Sequence, residues 1–310
     1  MSKHIAYIKS KEDGHNEIVV KDILPNDEYL VIKDCNTIIG KFNSFCDYYY
    51  MLKKSLEECI DFLKKIQNKE YLIVNQLQKH ETLMELNRLF INFLNIFNNY
   101  LSYYLVDGGE FFDKDSEEYK KIKQLQHQYF DKYFEYRLLY NLRHYSDHHK
   151  IPITRVSNNT DDKVKKYYIT LESLLSWQGL KSIIKKDILS LNEDIDVLDL
   201  LNKSKKMIDE IHSKLCMIDE HNVLFSYTLL KKYLKPNEFP CVVDINEKEK
   251  ENNGKFSIEP LFDELTIIGY NIRNAGFGAI ASYKKDSGFF IYDPYNLMFT
   301  KEEKEKLGLD

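Results

Sequence analysis

The sequence predicts an α+β protein: a central all-helical bundle flanked by small N- and C-terminal β units. Three observations carry that expectation. Residues 4–42 and 236–310 hold runs of β-branched and aromatic residues broken by turn-forming Asp, Gly and Pro. The stretch between them places apolar residues three and four apart over long spans. Pro236 and Pro240 then mark a boundary after the last helical run. The expected division is residues 1–42 as an N-terminal β unit, 43–235 as the helical bundle and 236–310 as a C-terminal β-rich unit.

In chain order, HIAYIKS, NEIVVKDI, EYLVIKD and NTIIGKF read as short strands, with DGHN as a hairpin loop. His4 and His15 read as loop or edge residues. From Ser44, a natural N-cap, the period becomes helical, and Phe45, Tyr49, Leu52, Leu56, Ile60 and Leu63 line one face of a helix to about Gln67. A second helix is expected from about Tyr71 to Val106, ended by Gly108-Gly109. A third runs from about Ser116 to His149 through Tyr119, Ile122, Leu125, Tyr129, Tyr133, Tyr136, Leu139 and Leu142. Short connections make these helices antiparallel neighbours, with their aromatic stripes as core. A polar loop from Arg155 to Lys166, a strand VKKYYIT and two helices over Leu171–Leu191 and Val197–Tyr233 follow. The strands PCVVDIN, KFSIEPL, LTIIGYNIR, GFGAIASYK and GFFIYDP close the chain and are expected to join the N-terminal strands in one sheet. Glu247–Asn253 reads as a charged surface loop. Gly276 and Gly278 lack the third glycine and following helix of a phosphate-binding loop.

Composition narrows the function. A chain of 310 residues with 43% hydrophobic and 30% charged residues buries a substantial core. A net charge of −5 gives no overall attraction to nucleic acid, so any such binding must come from a local basic cleft. The five cysteines are scattered without a CxxC pair, which argues for free thiols rather than a disulfide framework or a cysteine-rich metal site. No run reaches membrane-spanning length and no signal-like segment opens the chain, so the expectation is a soluble, cytoplasmic protein without membrane contact.

The densest ionisable chemistry lies in Asn141-Leu142-Arg143-His144-Tyr145-Ser146-Asp147-His148-His149, just before the helix-stopping Pro152. Three readings are open. Arg143 and Asp147, one turn apart, form an ordinary surface ion pair, with the histidines near a helix C-terminus that favours positive charge. Alternatively, His144 and His148 share a helix face and ligate a metal with Asp147, although no HExxH glutamate lies between them. No third ligand is evident among His80, His127, His212 and His221.

The third reading is a resemblance. An arginine, a polar residue and then a histidine after four to six intervening residues, near the end of a long helix in a bundle, resembles the HEPN ribonuclease motif. Arg143 and His148 have four residues between them, and His144 fills the polar position. The resemblance covers roughly residues 44–235, and the flanking β segments have no counterpart in the minimal family. It implies a metal-independent endoribonuclease of the toxin or antiviral-effector kind, with no cofactor. Arg143 and His148 would be catalytic, and Asn141, His144, Tyr145 and His149 supporting. The implied partners are an RNA substrate, a second copy in a homodimer and a neutralising antitoxin or trigger. The chemistry suits these residue types: a histidine of ordinary pKa near 6.5 takes the 2′-hydroxyl proton, and arginine's planar fork holds phosphate oxygens. The alternative functions are a non-catalytic HEPN-like binding or scaffold protein and, behind it, a metal-dependent hydrolase using His144 and His148.

Overall fold

The computed structural model, which describes residues 2–10, 16–68, 75–106, 112, 114–157, 165–233, 239–245, 257–260 and 271, joins the two strand-rich ends of the sequence in one sheet. Its strands are β1 (Ser2–Ser10), β2 (Asn16–Leu24), β3 (Arg155–Val156), β4 (Tyr167–Ile169), β5 (Ile195–Asp196), β6 (Phe239–Ile245) and β7 (Ser257–Pro260). Its helices are α1 (Asn26–Gln67), α2 (Gln76–Val106), α3 (Glu117–Lys132), α4 (Phe134–His148), α5 (Leu171–Leu175), α6 (Ser182–Leu189), α7 (Val197–Ile218) and α8 (Glu220–Leu230), with a 3-10 turn at Lys231–Tyr233. The architecture is α+β, mostly helical with two small antiparallel sheets. The chain divides into two compact units, Met1–Ser44 with Cys216–Asp310, and Phe45–Leu215.

In the first unit the strand order is β2-β1-β6-β7. β1 is an inner strand, paired antiparallel with β2 on one side and with β6 on the other, where Ile5 faces Val242. Ala6, Cys241 and Val243 are buried together, with Ile8 packed on them. The Cys241 thiol also donates to the Ala6 carbonyl at 3.5 Å.

EYLVIKD and NTIIGKF, expected as strands, are instead the first turns of α1. Their β-branched residues favour strand locally, but Tyr29, Ile32, Cys35, Ile39 and Phe42 are buried at the three- and four-residue spacing of a helix face. Pro25 precedes the first turn, and Asp27 and Glu28 within it suit the positive end of the helix dipole. Ser44 therefore lies inside a helix and caps nothing.

In the second unit the expected third helix is two. The Ser116 hydroxyl caps α3, accepting from the Tyr119 N–H at 3.2 Å. Tyr133, at φ −108° and ψ 118°, breaks the run before α4. Arg137 occupies the corner that results. Its Nε donates to Asp187 on α6 at 2.8 Å, and its Nη1 donates to the carbonyls of Phe130 and Asp131 at 2.6 and 2.8 Å. It thus satisfies carbonyls in the last turn of α3, which helix geometry alone leaves open. The expected helix over Leu171–Leu191 is likewise divided into α5 and α6 by a turn in which Trp177 lies over Gly179. A Cβ on that glycine would sit 2.6 Å from the indole. Val197–Tyr233 breaks at Asp219.

The core of this unit is aromatic. Phe90, Phe93, Phe97 and Tyr100 of α2 are buried, and Phe97 meets Tyr136 of α4 edge to face at 5.7 Å. The small sheet, in order β3-β4-β5, follows α4. The Asn87 side chain holds the chain on its way there, exchanging two hydrogen bonds with the Ile153 backbone at 2.9 and 3.0 Å. His212 of α7 is buried, stacked on the Tyr49 ring at 3.6 Å, and its Nδ1 lies 3.1 Å from the Tyr100 hydroxyl.

Several expected features lie outside the described residues: His15 in the first hairpin loop, the start of a helix at Tyr71, Gly108-Gly109, the whole of Glu247–Asn253, and Gly276 and Gly278. The strands GFGAIASYK and GFFIYDP also lie there, as does LTIIGYNIR apart from Asn271.

Two outcomes follow from this packing. Arg137→Ala leaves Asp187 and the α3 carbonyls without their donor, and chemical denaturation should show a loss of about 3–5 kcal/mol. Burial, with Lys53 nearby, pushes the His212 imidazole down to about 3. A histidine held neutral in the fold but free to protonate when unfolded contributes stability that is fully present above about pH 6.5. That contribution is lost as pH falls from there toward 3, and His212→Gln should flatten this part of the stability–pH curve.

Candidate functional site

Helix α4 buries one side and exposes the other. At about 100° per residue, Arg143, Asp147, Tyr140, His144 and His148 follow one another around an arc of about 140°. Asn141, Leu142 and Tyr145 lie on the far side, where they are buried. The Asn141 amide donates to the Arg137 carbonyl at 2.7 Å. The Tyr145 hydroxyl pairs with Ser173 at 2.6 Å, and its ring meets Trp177 edge to face at 5.6 Å. Of the expected supporting residues, Asn141 and Tyr145 are thus core, and Tyr145 has no face open to a nucleobase.

Arg143, His144 and His148 share the open arc. The Arg143 side chain is 31% exposed, and its Nε lies 3.2 Å from Asp147 Oδ2. The two charges are close but not aligned: the Nε atom is buried and makes no hydrogen bond among the described residues. Distance alone registers an ion pair and direction denies a hydrogen bond. A misaligned N–H leaves a donor that still needs an acceptor. The pair itself, exposed and i,i+4, stabilises the helix by only a few tenths of a kcal/mol.

His144 is the centre of the arc. Its ring meets Tyr140 edge to face at 5.3 Å, and the Lys181 ammonium, from the residue capping α6, stands 4.7 Å over the Tyr140 ring. Burial lowers the His144 pKa, the Arg143 and Lys181 charges lower it further, and Asp147 opposes them. His144 is therefore neutral at physiological pH and able to accept a proton.

His148 is exposed in the last turn of α4. His149, also exposed, is the residue beyond it, with its backbone N–H on the Tyr145 carbonyl at 2.9 Å and its ring 5.0 Å from that of Tyr145. The helix ends before Pro152, as the sequence predicts, yet it keeps its form through His148. No distortion brings His148 round to the side of Arg143 within one chain.

Among the described residues no third ligand completes a metal site at His144 and His148. Lys181 was hidden in the sequence, because only the packing of α6 beside α4 brings it to the arc.

No helix among the described residues is long and apolar enough to cross a membrane. No protein-family model matches the chain, and neither a curated protein nor a solved structure matches it.

Asp147→Asn tests the electrostatics of the arc. With the opposing carboxylate gone, the His144 resonance should titrate at lower pH in an NMR titration, while stability falls by no more than about 0.5 kcal/mol.

Proposed function

We propose that the chain is a metal-independent endoribonuclease, related in mechanism to HEPN ribonucleases, whose working residues are Arg143 and His148. The observation that carries this reading is the unsatisfied Arg143 Nε donor beside an exposed histidine arc at a helix end. A scissile phosphate supplies the acceptor that Asp147 does not align to give. His148 removes the 2′-hydroxyl proton, the 2′-oxygen attacks phosphorus, and the 5′-oxygen leaves with a proton returned from solvent or a second histidine. Arg143 stabilises the charge that builds on the phosphate oxygens. His144 shapes the field between them.

Because about 140° of helix separates Arg143 from His148, one chain offers half of the cleft. Two copies related by a twofold axis through α4 supply the Arg143 of one and the His148 of the other.

A second reading rests on Asp147. One turn from Arg143, it opposes the positive charge that a phosphate needs, which favours a binding or scaffold protein on the same bundle.

The purified chain, without added divalent metal, should cut single-stranded RNA to 2′,3′-cyclic phosphate and 5′-hydroxyl ends and leave DNA intact. Arg143→Ala and His148→Ala should each lower the rate by about a hundredfold or more, with unchanged circular dichroism, and His149→Ala should retain most activity. Products with 3′-hydroxyl ends would sink the 2′-oxygen mechanism. Equal inertness of the wild type and both variants would move the assignment to the scaffold.

A further inference from the structure

We infer that Lys181 is a second phosphate-binding residue of the α4 site, holding the phosphate next to the one on Arg143 in a single strand of nucleic acid. This role rests on the ribonuclease reading for the identity of the phosphate on Arg143, and it narrows the substrate to a strand with successive phosphates.

The position of the lysine carries it. Lys181 is exposed at the start of α6, and its ammonium stands 4.7 Å over the Tyr140 ring. No carboxylate is paired with it among the described residues. Its side chain makes no capping hydrogen bond, and the first turn of α6 holds no acidic residue. A cation at that end meets the positive pole of the helix, so helix stability does not account for a lysine there.

Charge alternates along the arc. Around α4, Asp147 lies between Arg143 and Tyr140. On one side of that carboxylate is the Arg143 Nε, 3.2 Å away and without a hydrogen-bond acceptor among the described residues. On the other is the Lys181 ammonium over Tyr140. A phosphate seated on both cations at once would meet Asp147, and like charges repel, so each cation takes a phosphate of its own. Successive phosphates of one strand match that alternation.

The two cations divide the work. The planar fork of Arg143 fixes the direction of phosphate oxygens, whereas an ammonium on a flexible stem binds phosphate as a point charge. Between them, His144 feels both: burial lowers its pKa, and the Arg143 and Lys181 charges lower it further. A neutral imidazole there offers the sugar that links the two phosphates a hydrogen-bond partner without competing for either charge.

The test uses the full chain and a dye-labelled single-stranded DNA, which presents the phosphates and lacks the 2′-hydroxyl that cutting needs. Fluorescence anisotropy across a salt series should give a plot of log affinity against log salt that is shallower in Lys181→Gln by about 0.7, the value of one phosphate contact on a single strand. Affinity should fall by about tenfold, and Lys181→Arg should restore both. Lys186→Ala, which removes an exposed charge later on α6, should keep the wild-type slope. With RNA as substrate, Lys181→Gln should raise KM by about tenfold, and saturating RNA should recover the rate. Wild-type affinity and slope in Lys181→Gln overturn the assignment, as does an equal loss in Lys186→Ala or a wild-type chain that binds no strand. Lys181-dependent binding by a chain that cuts no RNA keeps the phosphate site and sinks the ribonuclease reading alone.

Discussion

The guanidinium of Arg137 sets where helix α4 points, and the candidate chemistry depends on that direction. Three of its hydrogen bonds join the end of α3, the start of α4 and Asp187 of α6. A buried charge of this kind holds its geometry because every alternative leaves an ionised group or backbone carbonyl unpaired. With α4 fixed at its first turn, its long axis decides which residues reach solvent at the other end. Arg143, His144 and His148 do so, while Asn141 and Tyr145 enter the core. The same anchor holds α6, and thereby brings Lys181 over the face of the Tyr140 ring.

Much of this was legible in the sequence, and the failures have physical causes. The first and sixth strands and the helix stop before Pro152 follow from local chemistry. The pairing of the two strand-rich ends gives the backbone edges of β1 and β6 hydrogen-bonded neighbours. The segment from Tyr29 to Phe42 was misread because Val31, Ile32, Thr37, Ile38 and Ile39 favour strand locally, whereas tertiary burial rewards their helical spacing. The break at Tyr133 had no glycine or proline to announce it. It is held by Arg137, whose partners lie on other helices.

At the site itself the sequence located the cluster and left its directions open. Spacing along a helix assigns an angle to each side chain, which separates the exposed arc from the buried one only once the core side is known. His212 shows the opposite limit: it is an ordinary core residue by composition, and only the packing of distant helices stacks its ring on Tyr49 and brings its Nδ1 to the Tyr100 hydroxyl.

The pairing of β1 with β6 has a bearing on how the chain reaches this fold during synthesis. Ile8 finds its sheet partner at Phe239. At roughly 5–20 residues per second, on the order of ten to fifty seconds pass between translation of the two. Throughout that interval β1 and β2 form at most a two-stranded ribbon, which is marginal in water, with one long side of β1 lacking its β6 neighbour. The nascent chain therefore carries an unpaired strand edge throughout that interval.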